Sequence, residues 1–216
     1  MEANCRKPWL MKAYGRAISF AAENAGCDRA GAAIVRGVSF SLAPGEGLQL
    51  FGPNGSGKSS LLSMFAGLIR PAEGRLCWRE DAAEMERPPE DSIFFLGHEA
   101  SVKPALTAEE NVRFWAKTYG GGGDVRRALA AVDAGPFQHL RARSLSAGQR
   151  RRVDLARALL AEREVWLLDE PAAAIDRGGV VIIRKLIEDH LARGGIAIIA
   201  THDDLGDGFK RLELAR

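Results

Sequence analysis

Cysteine is scarce in this chain. Cys5, Cys27 and Cys77 are the only three in 216 residues, an odd number without C-x-x-C spacing. That argues against a disulfide framework or a cysteine-based zinc site and fits a reducing compartment. No apolar run approaches the ~20 residues that cross a bilayer, and the opening MEANCRKPWLMK lacks the apolar stretch of a secretory signal. Charge of one sign is not in excess: 30 Lys and Arg stand against 28 Asp and Glu, a net +2. No global field therefore pulls the chain toward nucleic acid. The four histidines, His98, His139, His190 and His202, form no Cys-Met-His grouping that would serve as haem axial ligands. An N-K-x-D motif is also missing, which argues against a guanine-reading triphosphatase.

What is present is organised around Leu48 to Ser60, LQLFGPNGSGKSS. Leu48, Gln49, Leu50 and Phe51 read as a buried strand. They run into Gly52, Gly55, Gly57, Lys58 and Ser59 at the G-x-x-x-x-G-K-S spacing of a phosphate-binding loop. Glycines let the backbone curl so that successive N–H groups face one concavity. A helix starting at Lys58 adds free N–H groups and its positive dipole end. At average glycine usage of ~7%, the pattern should arise by chance in a chain of this length on the order of once in a hundred. An accidental glycine-rich turn is therefore a poor account of it. Gly52, Pro53, Asn54, Gly55, Ser56, Gly57, Lys58, Ser59 and Ser60 form the candidate nucleoside triphosphate site, with Lys58 on the β- and γ-phosphates and Ser59 on Mg²⁺.

Length and a 46% apolar fraction suit one α/β domain, or a core with a smaller insert. Residues 1–12 are polar and aperiodic and are expected to form a flexible tail, with Met11 an alternative start. Short strands are expected at Ala17–Phe20, Ile34–Leu42 and Arg75–Trp78, and a charged, proline-containing surface loop over Arg79–Asp91. The helix after the phosphate loop is expected to end near Gly67. SIFFL, Ser92–Leu96, reads as an apolar strand ending in Gly97-His98. Thr107 to Glu110 form a capping box that opens a helix, with Val112, Trp115, Ala116 and Tyr119 as its core stripe and Phe114 off it. Asp124 caps the next helix, and the run of helices over about 100–160 marks a separate lobe. Val165–Leu168 and Gly195–Ala200 are continuous apolar runs, suited to strands buried on both faces of a parallel sheet. The amphipathic stretch Val180–Ala192 completes a β-α-β unit between them.

Ligands of such sheets gather at strand carboxyl ends, where the phosphate loop, Asp169-Glu170 and His202 all fall. Asp169 is placed as the carboxylate that holds Mg²⁺ directly or through water. Glu170 points differently and can polarise an attacking water as a general base. Leu145 to Gln149, LSAGQ, opens a helix with Ser146 as N-cap. Serine, a small residue and glycine at a helix start make a second anion-binding corner. It lies far from the first within one chain, as expected if it closes over the nucleotide of a second subunit. Arg141, Arg143, Arg150, Arg151, Arg152 and Arg157 read as the solvated face of a helix rather than a nucleic-acid or dimer contact, since net charge is near balance.

In this order the motifs resemble those of the ABC-type ATPases, the nucleotide-binding subunits of ATP-binding cassette systems, over about residues 15–210. LSAGQ resembles the LSGGQ signature with Ala147 in place of one glycine. Asp169-Glu170-Pro171 resembles the Walker B segment and catalytic glutamate, Ala174-Ile175-Asp176 the D-loop, and His202 the switch histidine that contacts the γ-phosphate. The resemblance implies an α/β fold: a P-loop NTPase core on a mainly parallel sheet, an N-terminal antiparallel β region and an inserted α-helical subdomain. The core would span 15–96 and 162–216 and the helical part 97–161. It also implies ATP and Mg²⁺ as cofactors, and a homodimer that sandwiches two ATPs between the P-loop of one subunit and Ser146, Gly148 and Gln149 of the other. Glu170, His202 and His98 would then be the catalytic set, and Ser59 and Asp169 the metal ligands.

Two positions depart from the family pattern. Counting back from Leu106-Thr107 places His98 where the family usually carries a glutamine, a Mg²⁺ and water ligand and a lever to the membrane partner. No aromatic lies between Phe20 and Phe40, where the family usually stacks adenine. LGHEASVKPALTAEENVRFW is similar to the G-H-x-x-x-x-K-x-x-L-T-x-x-E-N-L-x-F stretch of one subfamily, the ATP-binding subunits of cytochrome c maturation, or haem-exporter, systems. That likeness implies the B- and C-type integral-membrane proteins as partners and a peripheral position on the cytoplasmic face of the inner membrane. Hydrolysis would release a haem-loaded chaperone, and no nucleic acid would be bound. Two alternatives stay open: the subunit of another ABC exporter, and a soluble ABC ATPase acting on nucleic acid. Soluble members usually carry two cassettes or long insertions, which this chain lacks. LSAGQ and DEPAAAID argue against a small-molecule kinase.

Overall fold

The computed structural model describes residues 13–214 apart from 30, 31, 82, 90, 121, 122 and 203. The tail expected over 1–12, with Cys5 and Met11, lies outside the described residues. Cys27 and Cys77 are free and buried. The elements run β1 (Ile18–Arg29), β2 (Ala32–Leu42), β3 (Gly47–Phe51), α1 (Lys58–Phe65), β4 (Glu73–Glu80), β5 (Ala83–Met85) and β6 (Ile93–Leu96). They continue through α2 (Ala108–Thr118), α3 (Val125–Ala131), α4 (Ala147–Ala161), β7 (Val165–Asp169), α5 (Arg177–Ala192), β8 (Ile196–Ala200) and β9 (Phe209–Glu213).

A five-stranded parallel sheet, ordered β6-β7-β8-β3-β9, carries the core. All five residues of β7 and of β8 are buried, as continuous apolar runs require when both faces are covered. The strand pleat divides them between two cores. Val165, Leu167, Ile196, Ile198, Leu48 and Leu50 face α1 and the second sheet. Trp166, Leu168, Ala197 and Ile199 face α5 and the helices α2, α3 and α4, which share one continuous core with it. The second sheet is antiparallel, ordered β2-β1-β4-β5. Its centre is Phe20, stacked on Trp78 with ring centroids 4.0 Å apart and edge-on to Phe65 of α1.

Three elements differ from expectation. The short strand expected at Ala17–Phe20 is the start of the twelve-residue β1. Register shifts between Ala22 and Ala25, Ala25 and Cys27, and Cys27 and Asp28 break its alternation, so Ala25, Gly26 and Cys27 are buried consecutively. The loop expected over Arg79–Asp91 contains β5, an edge strand on β4. The last strand, β9, lies parallel to β3 at the sheet edge and was not anticipated; its Lys210, Arg211 and Glu213 are exposed. Among the described residues no helix is long and apolar enough to cross a membrane.

Candidate functional site

The carboxyl ends of β3, β6, β7 and β8 deliver four segments to one edge of the parallel sheet. Between them lies a cavity of about 380 Å³ lined by Ile34, Asn54, Gly55, Gly57, Lys58, Ser59, Ser60, His98, Asp169 and Glu170. Gly57 shows why the loop is glycine-rich. It caps α1 at φ 96°, in the left-handed region. A Cβ there would stand 2.4 Å from Val35 Cγ2 and 2.6 Å from Ile34 Cγ2. Lys58 is buried, and its ammonium donates to the carbonyls of Gly52 at 2.7 Å and Pro53 at 3.3 Å. Gly52, Pro53 and Ser56 shape the loop outside the cavity wall; the Ser56 hydroxyl is buried with no hydrogen-bond partner among the described residues.

Asp169 ends β7 and is buried; Glu170 follows at φ 48°, a left-handed conformation for a residue with a side chain. Such a conformation costs on the order of 1–3 kcal/mol and persists only where neighbours fix it. Here the Glu170 N–H donates to Ala200 O at 2.8 Å, and its carbonyl accepts from Ala173 N at 3.0 Å and Arg151 Nη2 at 2.9 Å. His202 reaches in from beyond β8. Its Nε2 lies 2.8 Å from Asn54 Oδ1, 3.3 Å from Glu170 Oε1 and 3.5 Å from Lys58 Nζ. Two acceptors facing Nε2 assign its proton there. A cationic amine, two carboxylates, a hydroxyl and an imidazole thus meet around an anion-binding loop. Among the described residues no group of three or more His, Cys, Asp or Glu could hold a metal by themselves. Ser59 and Asp169 nevertheless give the oxygen donors that Mg²⁺ prefers when phosphate and water complete its shell. A larger open cleft, about 1400 Å³, lies between the end of α1 and β4–β5 and gathers none of these residues.

The family model for the ABC transporter matches residues 35–173. This chain belongs to the ABC transporter family. It is 46% identical over 188 residues to the cytochrome c biogenesis ATP-binding export protein CcmA of Rhodospirillum rubrum, covering 86% of this chain and 81% of that one. It is 41% identical over 203 residues to the protein of that name from Paramagnetospirillum magneticum, covering 91% and 94%. Among solved structures, a Pyrococcus furiosus ABC transporter ATP-binding protein shares the fold, with TM-score 0.78 at 24% identity over 91% of this chain and 97% of that one. An ATP-binding subunit of another ABC transporter matches with TM-score 0.72 at 21% identity, over 85% and 79%.

In this ABC chain the signature segment stands apart from the phosphate-loop cavity. Ser146 is exposed and caps α4, its hydroxyl accepting from Gln149 N at 3.2 Å. Gln149 closes the box, its Oε1 accepting from Ser146 N at 2.9 Å, so that side chain orders the helix start. Gly148 sits where a Cβ would lie 2.3 Å from Ala174 O, which locks the signature turn onto the D-loop. Asp176 of that loop caps α5 and pairs with Arg152 at 2.6 Å. His98 is exposed on the cavity wall, beside the loop that leads into α2.

Two of the six arginines correct the reading as a solvated helix face, while Arg141 and Arg143 are exposed as that reading expects. Arg151 and Arg157 are only 3% and 5% exposed. Arg157 pairs with the fully buried Asp154, donates to Tyr119 Oη and lies 4.0 Å over the Trp115 ring. Arg151, which the motifs did not single out, bonds backbone carbonyls at the site itself. The available signal was an i,i+3 Arg–Asp pair within the apolar stripe that Leu155 and Ala158 continue. Ile34 was likewise missed as a site residue; its place on the cavity wall follows from β2 packing over Gly57.

Proposed function

We propose that the chain is the ATP-hydrolysing subunit of a cytochrome c maturation complex, bound at the cytoplasmic face of the membrane to B- and C-type integral-membrane subunits. The observation that carries the reading is the meeting of His202 with Lys58 and Glu170 over the phosphate loop. The similarity to proteins named for cytochrome c biogenesis supports the choice of complex.

In this reading the N–H groups of the loop and of the first turn of α1 receive the phosphates, and the Lys58 ammonium leaves its loop carbonyls for the β- and γ-phosphates. Ser59 and Asp169 would hold Mg²⁺, which would neutralise charge on the phosphate oxygens. Glu170 accepts the proton of the attacking water, and His202 donates from Nε2 to the γ-phosphate. Ser146 and Gly148 of a second copy cover the nucleotide and complete the site. Ile34 gives the cavity wall an aliphatic side chain. Closing and reopening of the two-copy unit then moves the membrane subunits through the helices around His98.

The test is purification of the tagged chain from detergent-solubilised membranes, followed by ATPase assay of what co-purifies. Recovery with a haem-handling membrane subunit and Mg²⁺-dependent ATP turnover is expected. Turnover with a different exporter as the co-purifying partner would overturn the cytochrome c assignment.

A further inference from the structure

Arg151 is a buried guanidinium whose partners are mostly backbone carbonyls. It stands on the first turns of α4, five residues past Ser146, and points into the core rather than to solvent. Its Nη1 donates to Gly97 O at 2.6 Å, the residue before His98. Its Nη2 donates to Asp169 O and, at 2.9 Å, to Glu170 O, while Nε reaches Pro171 O at 3.4 Å. One rigid planar fork therefore ties together the end of β6, the end of β7 and the signature helix. Asp154, one turn on, extends the same tie. Its carboxylate is 4.0 Å from Arg151 Nη1 and accepts from Ser101 N at 3.1 Å, three residues past His98.

The position has a cost that packing alone does not explain. Burial works against the charge, and the compensating charges of Asp154, Asp169 and Glu170 are all in this one corner. In some proteins a buried charge is retained because it fixes geometry that apolar contacts do not. The geometry in question is the left-handed Glu170, whose carbonyl Arg151 holds directly.

We propose that Arg151 is a positioning residue for ATP hydrolysis. By bonding Gly97, Asp169, Glu170 and Pro171 at once, it makes the placement of the Glu170 carboxylate follow the placement of the signature helix. This rests on Glu170 acting as the base. A second copy that seats on Ser146 then acts on the Glu170 of the chain whose signature it touches, as well as on its own nucleotide. Arg151 lies outside the lining of the phosphate-loop cavity and bonds only the backbone behind it, so its effect falls on turnover and not on affinity.

The test compares wild type, Glu170→Gln, Arg151→Met and Arg151→Lys in the full membrane complex, measuring kcat, KM for ATP and thermal midpoint. A misplacement of about 1 Å at a reacting group costs roughly 100-fold. Arg151→Met is therefore expected to lower kcat roughly 30- to 100-fold with KM within about twofold of wild type. Lysine, three donors on one point, cannot span the four carbonyls and is expected to restore kcat only in part. If the methionine variant does not fold, the lysine variant decides: a kcat equal to wild type overturns the proposal, and a reduced kcat at unchanged KM upholds it. A purely structural arginine would instead lower the thermal midpoint while leaving kcat intact below it. Glu170→Gln separates the two readings. Turnover in that variant removes the base and the positioning role together, whereas silence there with full activity in Arg151→Met removes only the positioning role.

Discussion

Nε2 of His202 stands 3.3 Å from Oε1 of Glu170, across a cavity whose floor is Lys58. The imidazole and the carboxylate belong to adjacent parallel strand ends, β8 and β7, so the sheet itself sets their spacing. If Glu170 is the base, Glu170→Gln removes the proton acceptor while keeping shape and hydrogen bonding. ATP affinity is expected to stay within about twofold and turnover to fall by roughly 10²- to 10⁴-fold. Fluorescent-nucleotide titration beside a phosphate-release assay reads both. Retained hydrolysis would remove Glu170 from the role.

β7 and β8 announced themselves because burial on both faces leaves an unbroken apolar run, and the chemistry at their ends came with them. β1 hid because its bulges put Ala25, Gly26 and Cys27 inside in succession. β5 and β9 hid because edge strands with exposed residues have no burial pattern to print. The same logic divides the site. Lys58, Asp169, Glu170 and His202 were legible, each following an apolar strand. Arg151 was not, since three consecutive arginines look alike until the helices close on the sheet and bury the middle one.

The separation of Ser146 from the cavity on its own chain leads to a second expectation. Ser146 is exposed and caps α4 away from the cavity lining, and in the proposed arrangement the signature turn covers the nucleotide of another copy. Ser146→Arg places a bulky cation in that turn. Sedimentation of the Glu170→Gln chain with ATP is expected to show a dimer, and the double variant carrying Ser146→Arg a monomer. A dimer in both would sink the sandwich arrangement.

His98 borders the cavity on one side and leads on the other into a loop braced by the helices. Trp115 Nε1 donates to Ser101 O at 3.0 Å, and Asn111 holds Lys103 N at 2.6 Å. An exposed imidazole with that connection suits relay better than catalysis. His98→Ala is expected to keep basal ATP turnover within about threefold, since no bond to a reacting group is lost, while abolishing stimulation by the membrane subunits. Loss of basal turnover with stimulation preserved would place His98 in the chemistry instead.

A histidine far from the site makes stability depend on pH. His190 of α5 is buried and stacked on Trp166 with centroids 4.1 Å apart. Its Nε2 lies 3.0 Å from Ile196 O, which can only accept, so the proton is on Nε2 and Nδ1 accepts from Tyr14 Oη at 2.8 Å. Burial, with a smaller push from Arg193, depresses its pKa from 6.5 to about 3, against the pull of the Ile196 carbonyl. The folded protein therefore keeps His190 neutral while the unfolded chain takes up a proton below about pH 6.5. Stability from this residue is complete above that pH and is lost as pH falls toward 3. By pH 4.5 the loss is on the order of 2–3 kcal/mol. Urea unfolding of wild type and His190→Gln from pH 7.5 to 4.5 checks it: the wild-type curve should decline with about one proton's slope relative to the variant. Parallel curves would mean that His190 takes up its proton in the fold as readily as in the unfolded chain, with Nδ1 then donating to Tyr14 Oη.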